Sequence, residues 1–327
     1  YTRLYTLSLH DALPIATSVV ARLLGGGATV IATTSSLGPE RLAHFRQLYR
    51  DHASVGAALW VVPANLASFA DIDALAEWIG APVVESMAGA QTTIREGLRP
   101  TMVFPFAAPR VHGSAEDAGP RAEIEARVLL WGVERLVTRL AAIRADHHLE
   151  DRLHVVLPGS PNRGRFGGDG GYGEAKAALD AFVQRWHAEP LWAQRVSLVH
   201  PLIGWVTGTG LMGHNDPLVE AVTAAGVRTW STDEMADELL ALCRNDVRRA
   251  AAHEPVSADL TGGLGAADLD LAELARSAAQ SPPVPVADAA TERAPLQALT
   301  HPAGWHLGQP TTTWPDISAR PQDLVVI

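Results

Sequence analysis

Short apolar runs alternate with helix-length amphipathic runs through most of this 327-residue chain, and that alternation limits the folds it can adopt. Consecutive strands of a parallel sheet need a crossover connection between them, and that connection is usually a helix. The alternation therefore predicts an α/β domain with a doubly wound parallel sheet. The predicted strands lie at residues 28–33, 57–63, 101–106, 153–158 and 195–199. The predicted helices lie at residues 16–24, 39–53, 68–79, 121–146, 172–187, 216–225 and 232–244.

Two stretches depart from this alternation. Residues 81–100 show neither the helical spacing of apolar residues nor the alternation of a strand, and we expect them to be irregular. Residues 265–322 are rich in Ala, Pro, Thr and Asp, which predicts an extended linker. Residues 323–327, Asp-Leu-Val-Val-Ile, have the apolar character of a buried strand, and we expect them to begin a following, truncated domain.

Charge and cysteine content argue against several classes of function. The net charge is −10 with no long basic run, which argues against nucleic acid as a partner. No uninterrupted run of about 18 apolar residues occurs, so we expect no membrane-spanning helix. The single cysteine, Cys243, excludes a disulfide framework and favours a reducing compartment, so we expect a cytoplasmic protein. The thirteen histidines are scattered, and no metal site is expected.

Three polar residues near the middle of the chain have a spacing that suits hydride-transfer chemistry. Tyr172 and Lys176 are four residues apart where a helix is predicted, so their side chains share one helix face. Ser160 lies just past the carboxyl end of the strand at residues 153–158, where open α/β sheets bind ligands. The alternative interpretation is a surface Tyr-Lys pair on an ordinary amphipathic helix.

Ser160, Tyr172 and Lys176, in this order, resemble the short-chain dehydrogenase/reductases. Residues 157–170 (Leu-Pro-Gly-Ser-Pro-Asn-Arg-Gly-Arg-Phe-Gly-Gly-Asp-Gly) and 203–212 (Ile-Gly-Trp-Val-Thr-Gly-Thr-Gly-Leu-Met) resemble the ketoreductase domain of type I fatty acid synthases of the actinobacterial and fungal kinds. The resemblance covers residues 16–264 and implies a Rossmann-like fold. It also implies that residues 323–327 are the start of a ketosynthase-like domain and that the chain is a fragment of a longer protein.

The resemblance implies a role for each motif residue. Tyr172 is expected to donate a proton to the substrate carbonyl oxygen, Lys176 to hold the nicotinamide ribose, and Ser160 to hydrogen-bond the same oxygen. The expected cofactor is NADPH. The residues expected to lie against it are Thr34, Ser35, Ser36, Asn65, Ala107, Ala108, Gly204 and Thr207.

The implied reaction is the reduction of a 3-oxoacyl group, carried on the phosphopantetheine of an acyl carrier domain, to a 3-hydroxyacyl group. The implied partners are that carrier domain, the other domains of a fatty acid synthase, and further copies of the chain in a homo-oligomer. Two alternatives remain: another short-chain dehydrogenase or epimerase, and a catalytically inactive structural fragment of a synthase.

Three departures from the family pattern bear on activity. A Gly-rich phosphate loop is expected before the helix at Ala16, but residues 1–15 contain no glycine and match nothing in the family, so we interpret them as a non-native, adapter-like segment. The first strand and its loop are then missing or replaced. Ser36 stands where related domains often carry an arginine for the 2′-phosphate. Gly132 stands where many reductases place a proton-relaying asparagine.

Overall fold

The fold is known from a computed structural model, which describes residues 13–109, 111, 113–143, 152–163, 169–209, 218–264 and 324–327. Its strands are β1 (Thr29–Thr34), β2 (Ala58–Pro63), β3 (Val83–Met87), β4 (Ala90–Arg95), β5 (Pro100–Val103), β6 (Leu153–Val156), β7 (Val196–Ile203), β8 (Val256–Leu260) and β9 (Leu324–Val326). Seven of them form one parallel sheet in the order β2-β1-β9-β5-β6-β7-β8. The remaining two, β3 and β4, form an antiparallel hairpin.

Helices connect these strands. They are α1 (Leu13–Gly25), α2 (Pro39–His52), α3 (Phe69–Gly80), α4 (Pro120–Ala126), α5 (Gly132–Ala142), α6 (Tyr172–Ala188), α7 (Pro190–Ala193), α8 (Val219–Ala224), α9 (Thr232–Ala241) and α10 (Asn245–Ala251). A 3-10 turn (Ala115–Asp117) precedes α4, and a π-helical turn (Arg127–Trp131) joins α4 to α5. Within the described ranges, no helix has both the length and the apolar character needed to cross a membrane.

The sheet buries both of its faces. On one face, α1, α2 and α9 pack through residues such as Leu23, Phe45 and Leu239. On the other face, α3, α5 and α6 pack through residues such as Ile72 and Leu179. Apolar residues recur at helical spacing along one side of each of these helices, and that side meets the sheet. The predicted doubly wound parallel architecture is therefore confirmed.

The central position of the sheet is filled by the last residues of the chain. Strand β9 lies between β1 and β5 and is parallel to both. The amide of Ile327 donates to the carbonyl oxygen of Ile31 at 2.9 Å, and the amide of Thr33 donates to the carbonyl oxygen of Ile327 at 3.0 Å. The run Leu-Val-Val-Ile has the apolar sequence that is typical of a central strand in a parallel sheet. The expected replacement of the first strand thus comes from residues 324–327, and the assignment of residues 323–327 to another domain stays a prediction.

The expectation of an irregular segment at residues 81–100 was wrong, because this segment contains the β3–β4 hairpin. Ala88 and Gly89 both have positive φ at its turn, 50° and 83°, which suits a tight two-residue hairpin connection. Arg95 fixes its base, since its buried guanidinium donates to the carbonyl oxygens of Trp78 and Ala81 and stacks 4.4 Å from the Trp78 ring centroid. The two strands are neighbours in the sequence. Because most of their residues are exposed, they show neither the alternating apolar pattern of a half-buried strand nor that of an amphipathic helix.

Candidate active site

The structure brings Ser160, Tyr172 and Lys176 together at the carboxyl edge of the sheet. Ser160 follows β6, Tyr172 is the first residue of α6, and Lys176 lies one turn later on the same helix. All three are buried, with 6 to 8% of each residue exposed. The Tyr172 and Ser160 side chains are hydrogen-bonded to each other. Nζ of Lys176 lies 5.5 Å from the Tyr172 ring centroid.

Burial sets the protonation of this group. It raises the pKa of the Tyr172 phenol to about 12, with the hydrogen bond from Ser160 acting in the opposite direction. Burial also lowers the pKa of the Lys176 ammonium to about 7. At neutral pH the phenol therefore holds its proton, while the amine exists in both protonation states. A buried acid beside a lysine that can change its charge is an arrangement suited to proton transfer.

Lys176 is the only lysine in the sequence, although lysine and arginine together number 26. Arginine stays charged under all ordinary conditions, whereas a buried lysine can lose its proton near neutral pH. A chain that uses arginine at every other basic position keeps a lysine at the one basic position next to the buried tyrosine. The sequence analysis missed this compositional signal.

The start of α6 is held by two buried carboxyl groups that the sequence analysis also missed. Oε2 of Glu125, on α4, accepts from the amide of Gly171 at 2.6 Å. This places a carboxyl group at the N-terminus of α6, where the helix dipole stabilises negative charge. Asp169 accepts from Nδ2 of Asn162 at 2.9 Å, and its carbonyl oxygen accepts from the amide of Tyr172. Burial raises the pKa of both carboxyl groups. Their signal in the sequence is weak, because Glu125 lies 46 positions from its partner Gly171.

A pocket lies along the carboxyl ends of β1, β2, β5 and β9. Four of the expected cofactor residues line it, namely Ser35, Asn65, Ala107 and Ala108. Ala108 also packs in the cluster that contains Tyr172, although Tyr172 itself does not line the pocket. Residues Ala16 and Thr17 of α1 and Ile327 after β9 line its far end. The pocket is long and largely apolar, as binding sites for extended organic cofactors are.

The other four expected cofactor residues do not line the pocket. Thr34 and Ser36 lie just behind it, at the end of β1, where Oγ1 of Thr34 donates to the carbonyl oxygen of Ser36 at 2.9 Å. Gly204 is packed against β8, since a Cβ there would lie 2.4 Å from the carbonyl oxygen of Thr261. The hydroxyl and the amide of Thr207 both donate to the carbonyl oxygen of Trp230. Gly204 and Thr207 thus have packing roles in this structure, and their contact with a cofactor stays a prediction.

Arg41, in the first turn of α2, lies at the end of β1 beside these residues. Its guanidinium donates to Oγ1 of Thr34 at 3.0 Å, and partial burial lowers its pKa. Among the residues the structure describes, no carboxylate forms an ion pair with it. A half-buried guanidinium is a ready partner for an anion, and nothing in the sequence pattern had pointed to Arg41.

Gly132 is excluded as a source of a proton relay. A Cβ at this position would lie 2.3 Å from the carbonyl oxygen of Leu66 and 2.6 Å from that of Arg127, so no side chain fits there. The π-helical turn ends directly before Gly132. Any replacement for the relaying asparagine must therefore come from another part of the site.

The fold and the site together define the class of protein. Solved structures with the same fold include a short-chain dehydrogenase/reductase from Serratia marcescens (TM-score 0.57, 18% identity, 76% of this chain and 93% of that one) and a short-chain type dehydrogenase/reductase from Mycobacterium ulcerans (TM-score 0.57, 15% identity, 76% and 86%). The fold is that of the short-chain dehydrogenase/reductases.

In sequence, the chain is homologous to one segment of the fungal fatty acid synthase alpha subunits. The alpha subunit of Saccharomyces cerevisiae is 36% identical over 254 residues, which is 76% of this chain and 13% of that subunit. The alpha subunit of Cochliobolus carbonum is 35% identical over 252 residues, 76% of this chain and 15% of that subunit. No family model matches the chain. The chain thus spans about one seventh of the length of these relatives, and the predicted resemblance is confirmed.

Proposed function

We propose that this chain reduces a 3-oxoacyl thioester to the 3-hydroxyacyl thioester, with NADPH as the reductant. The observation that carries the proposal is the buried Ser160–Tyr172–Lys176 group at the same edge of the sheet as an apolar pocket, in a chain related to fatty acid synthases. The substrate would be held on the phosphopantetheine of an acyl carrier domain. The partners would be the other domains of a cytoplasmic, homo-oligomeric synthase.

The three side chains have distinct parts in this reaction. Tyr172 is the general acid, because burial keeps its proton in place until the carbonyl oxygen gains charge. Ser160 donates a hydrogen bond to the same oxygen and stabilises that charge. Lys176 in its charged form favours the tyrosinate that is left, and its low pKa allows it to give up a proton in the same pH range.

We assign the pocket to a dinucleotide cofactor. Asn65 and Leu66 would lie against the adenine, and Ala107 and Ala108 lead towards Tyr172. No acidic residue occupies the end of β1, where an NAD-binding site carries a carboxylate for the 2′-hydroxyl, and Arg41 instead offers a cation for a 2′-phosphate. When bound, the cofactor supplies the hydride that reduces the carbonyl carbon.

The test is reduction of an acetoacetyl thioester by NADPH, followed by the loss of NADPH absorbance. Tyr172→Phe should lower turnover by about 10²–10⁴-fold, since it removes the general acid. Tyr49→Phe is the matched control, because Tyr49 is also buried, does not line the pocket, and its hydroxyl donates to the carbonyl oxygen of Ala57. Equal turnover in the two variants would disprove the assignment of Tyr172.

A structural role without catalysis is the second candidate, and one observation favours it. Residues 1–15 contain no glycine, so they cannot supply the Gly-rich backbone that contacts a pyrophosphate before α1. The two candidates differ in NADPH binding. Titration of the chain with NADPH, followed by the fluorescence of its tryptophans, should give saturable binding for a reductase, and no binding would favour the structural role.

A further inference from the structure

His200, on β7, lies directly beneath the loop that carries Ser160. Only 4% of the residue is exposed. Its Nδ1 lies 2.9 Å from the carbonyl oxygen of Leu157. A carbonyl oxygen only accepts hydrogen bonds, so Nδ1 must carry the proton in this contact. Nε2 lies 3.3 Å from Oδ1 of Asp180, whose carboxylate is also paired with Arg163.

The imidazole ring also packs against the backbone of Gly159. A Cβ at position 159 would lie 2.7 Å from Cε1 and 2.9 Å from Nε2 of His200. Such distances do not occur between real atoms without displacement, so the ring and a side chain at residue 159 cannot both be present. The contact with Gly159 and the hydrogen bond to Leu157 thus hold the loop at two residues, one on each side of Pro158.

The same loop determines the positions of two parts of the candidate active site. The carbonyl oxygen of Pro158 accepts from Nζ of Lys176 at 2.7 Å, and Ser160 follows two residues later. Backbone bonds hold the loop to β7, from the amide of Leu157 to Val199 and from the amide of Gly159 to Pro201, both at 2.8 Å. Among described residues, the His200 ring is the side chain from β7 that bonds this loop.

We propose that His200 is a positioning residue: its imidazole, which carries a proton on Nδ1, holds residues 157–160 so that Ser160 and the Pro158 carbonyl meet Tyr172 and Lys176. This inference rests on the proposed reduction. It assigns no proton transfer to His200, whose ring touches neither Tyr172 nor the pocket. The charged groups around the ring are Asp180, Lys176 and, through Asp180, Arg163.

Two substitutions separate the hydrogen bond from the bulk of the ring. In His200→Asn, the side-chain amide places an N–H close to the position of Nδ1, and the bond to Leu157 can persist. In His200→Leu, the bond is lost while an apolar side chain of similar size remains. Loss of one buried hydrogen bond that orients the site should lower kcat about tenfold in the leucine variant. The asparagine variant should keep kcat within about threefold of the parent, with the Kd for NADPH unchanged in both.

A spectroscopic measurement tests the same idea without catalysis. Because Lys176 is the only lysine, a chain with ¹⁵N-labelled lysine gives one side-chain ammonium signal that reports on the Pro158 contact. The signal should shift in His200→Leu and keep its position in His200→Asn. Long-range ¹H–¹⁵N spectra of the histidine rings, assigned to His200 by comparison with the asparagine variant, should show the Nδ1–H tautomer.

The outcomes are distinct. A parent chain without reductase activity would refute the proposed function, while the Lys176 signal and the His200 tautomer would still decide the role of His200. An Nε2–H tautomer, or a Lys176 signal and kcat that are alike in the leucine and asparagine variants, would overturn the positioning role. If the leucine variant does not fold, His200→Gln serves in its place, since its amide extends towards the Nε2 position and leaves Leu157 unpaired.

Discussion

Nζ of Lys176 donates a hydrogen bond of 2.7 Å to the carbonyl oxygen of Pro158, and this bond joins α6 to the loop after β6. Lysine and loop therefore move together, and so do Tyr172 and Ser160, which these two elements carry. A buried ammonium with one backbone acceptor is costly to the folded state. The lowered pKa of Lys176 is the measurable sign of that cost.

Lys176→Met should stabilise the protein at neutral pH and below. The pKa of Lys176 is about 7 in the folded protein against 10.5 ordinarily, so between these values the unfolded chain binds the extra proton. The free energy of unfolding of the parent should then rise with pH over this range. The difference in this free energy between the methionine variant and the parent should become smaller as the pH rises. Urea denaturation at several pH values checks this. Lys176→Arg, which keeps a permanent charge, should be less stable than the parent throughout. A pH-independent difference between parent and methionine variant would contradict the prediction.

His154 should make the fold sensitive to acid. The ring is fully buried, accepts from Ser197 at Nδ1 and donates to the carbonyl oxygen of Leu242 at Nε2. Burial, assisted by the nearby Arg248, lowers its pKa to about 3 from 6.5. As pH falls through this range the unfolded chain takes up the proton first, so stability is lost.

In His154→Gln, the side-chain amide can still reach the Leu242 carbonyl. The plot of unfolding free energy against pH should be flatter over this range, by the slope that corresponds to about one proton taken up on unfolding. His187→Gln, at an exposed position, is the control and should leave the slope unchanged. Identical slopes in parent and His154→Gln would show that the burial of His154 does not govern acid stability.

Arg41 should set the preference for NADPH over NADH. Removal of a charge-assisted hydrogen bond to a phosphate costs about 1.5–3 kcal/mol, so Arg41→Gln should reduce the preference by roughly tenfold or more. Turnover with saturating NADPH should change little. Arg46→Gln, an exposed arginine one turn further along α2, is the matched control. Ser36→Arg should widen the preference instead, and a strong preference for NADH in the parent chain would refute this assignment.

The central strand should be essential to the sheet. Ile327→Pro removes the N–H that donates to the carbonyl oxygen of Ile31 and should lower the free energy of unfolding by about 3 kcal/mol. Ile327→Val keeps that bond and should cost about 1 kcal/mol. Thermal denaturation of the two variants compares them directly. If the proline variant melts with the valine variant, β9 is not paired in solution.

The local pattern of apolar residues predicted most helices and strands correctly. It failed for elements whose form depends on contacts with other parts of the chain or that have no buried face. The helix predicted at residues 121–146 is interrupted by the π-helical turn, which lies directly before the contact of Gly132 with the distant Leu66 backbone. The hairpin at residues 83–95 was missed, since neither of its faces is buried to give an apolar period. The strand at Val256–Leu260 was not predicted, and only its pairing with β7 defines it.

The candidate site shows the same division. The spacing of Ser160, Tyr172 and Lys176 follows from one strand, one loop and one helix, so the sequence could predict that they meet. Glu125 and His200 have no such local signal, because each bonds a partner more than 40 residues away. Arg41 lies only seven residues from its partner Thr34, but it belongs to no spacing that the sequence analysis used. Four of the eight expected cofactor residues line the pocket, and these lie where β1, β2 and β5 end.

The sequence by itself determined the alternation of strands and helices, the parallel sheet and the Ser160–Tyr172–Lys176 group, because period and spacing express local backbone geometry. Only the tertiary structure decided that residues 324–327 fill the centre of the sheet. The run Leu-Val-Val-Ile predicts a central strand of a parallel sheet, but it does not specify which two strands will be its neighbours. Its neighbours are chosen by backbone hydrogen bonds to β1 and β5, which lie more than 200 residues away along the chain.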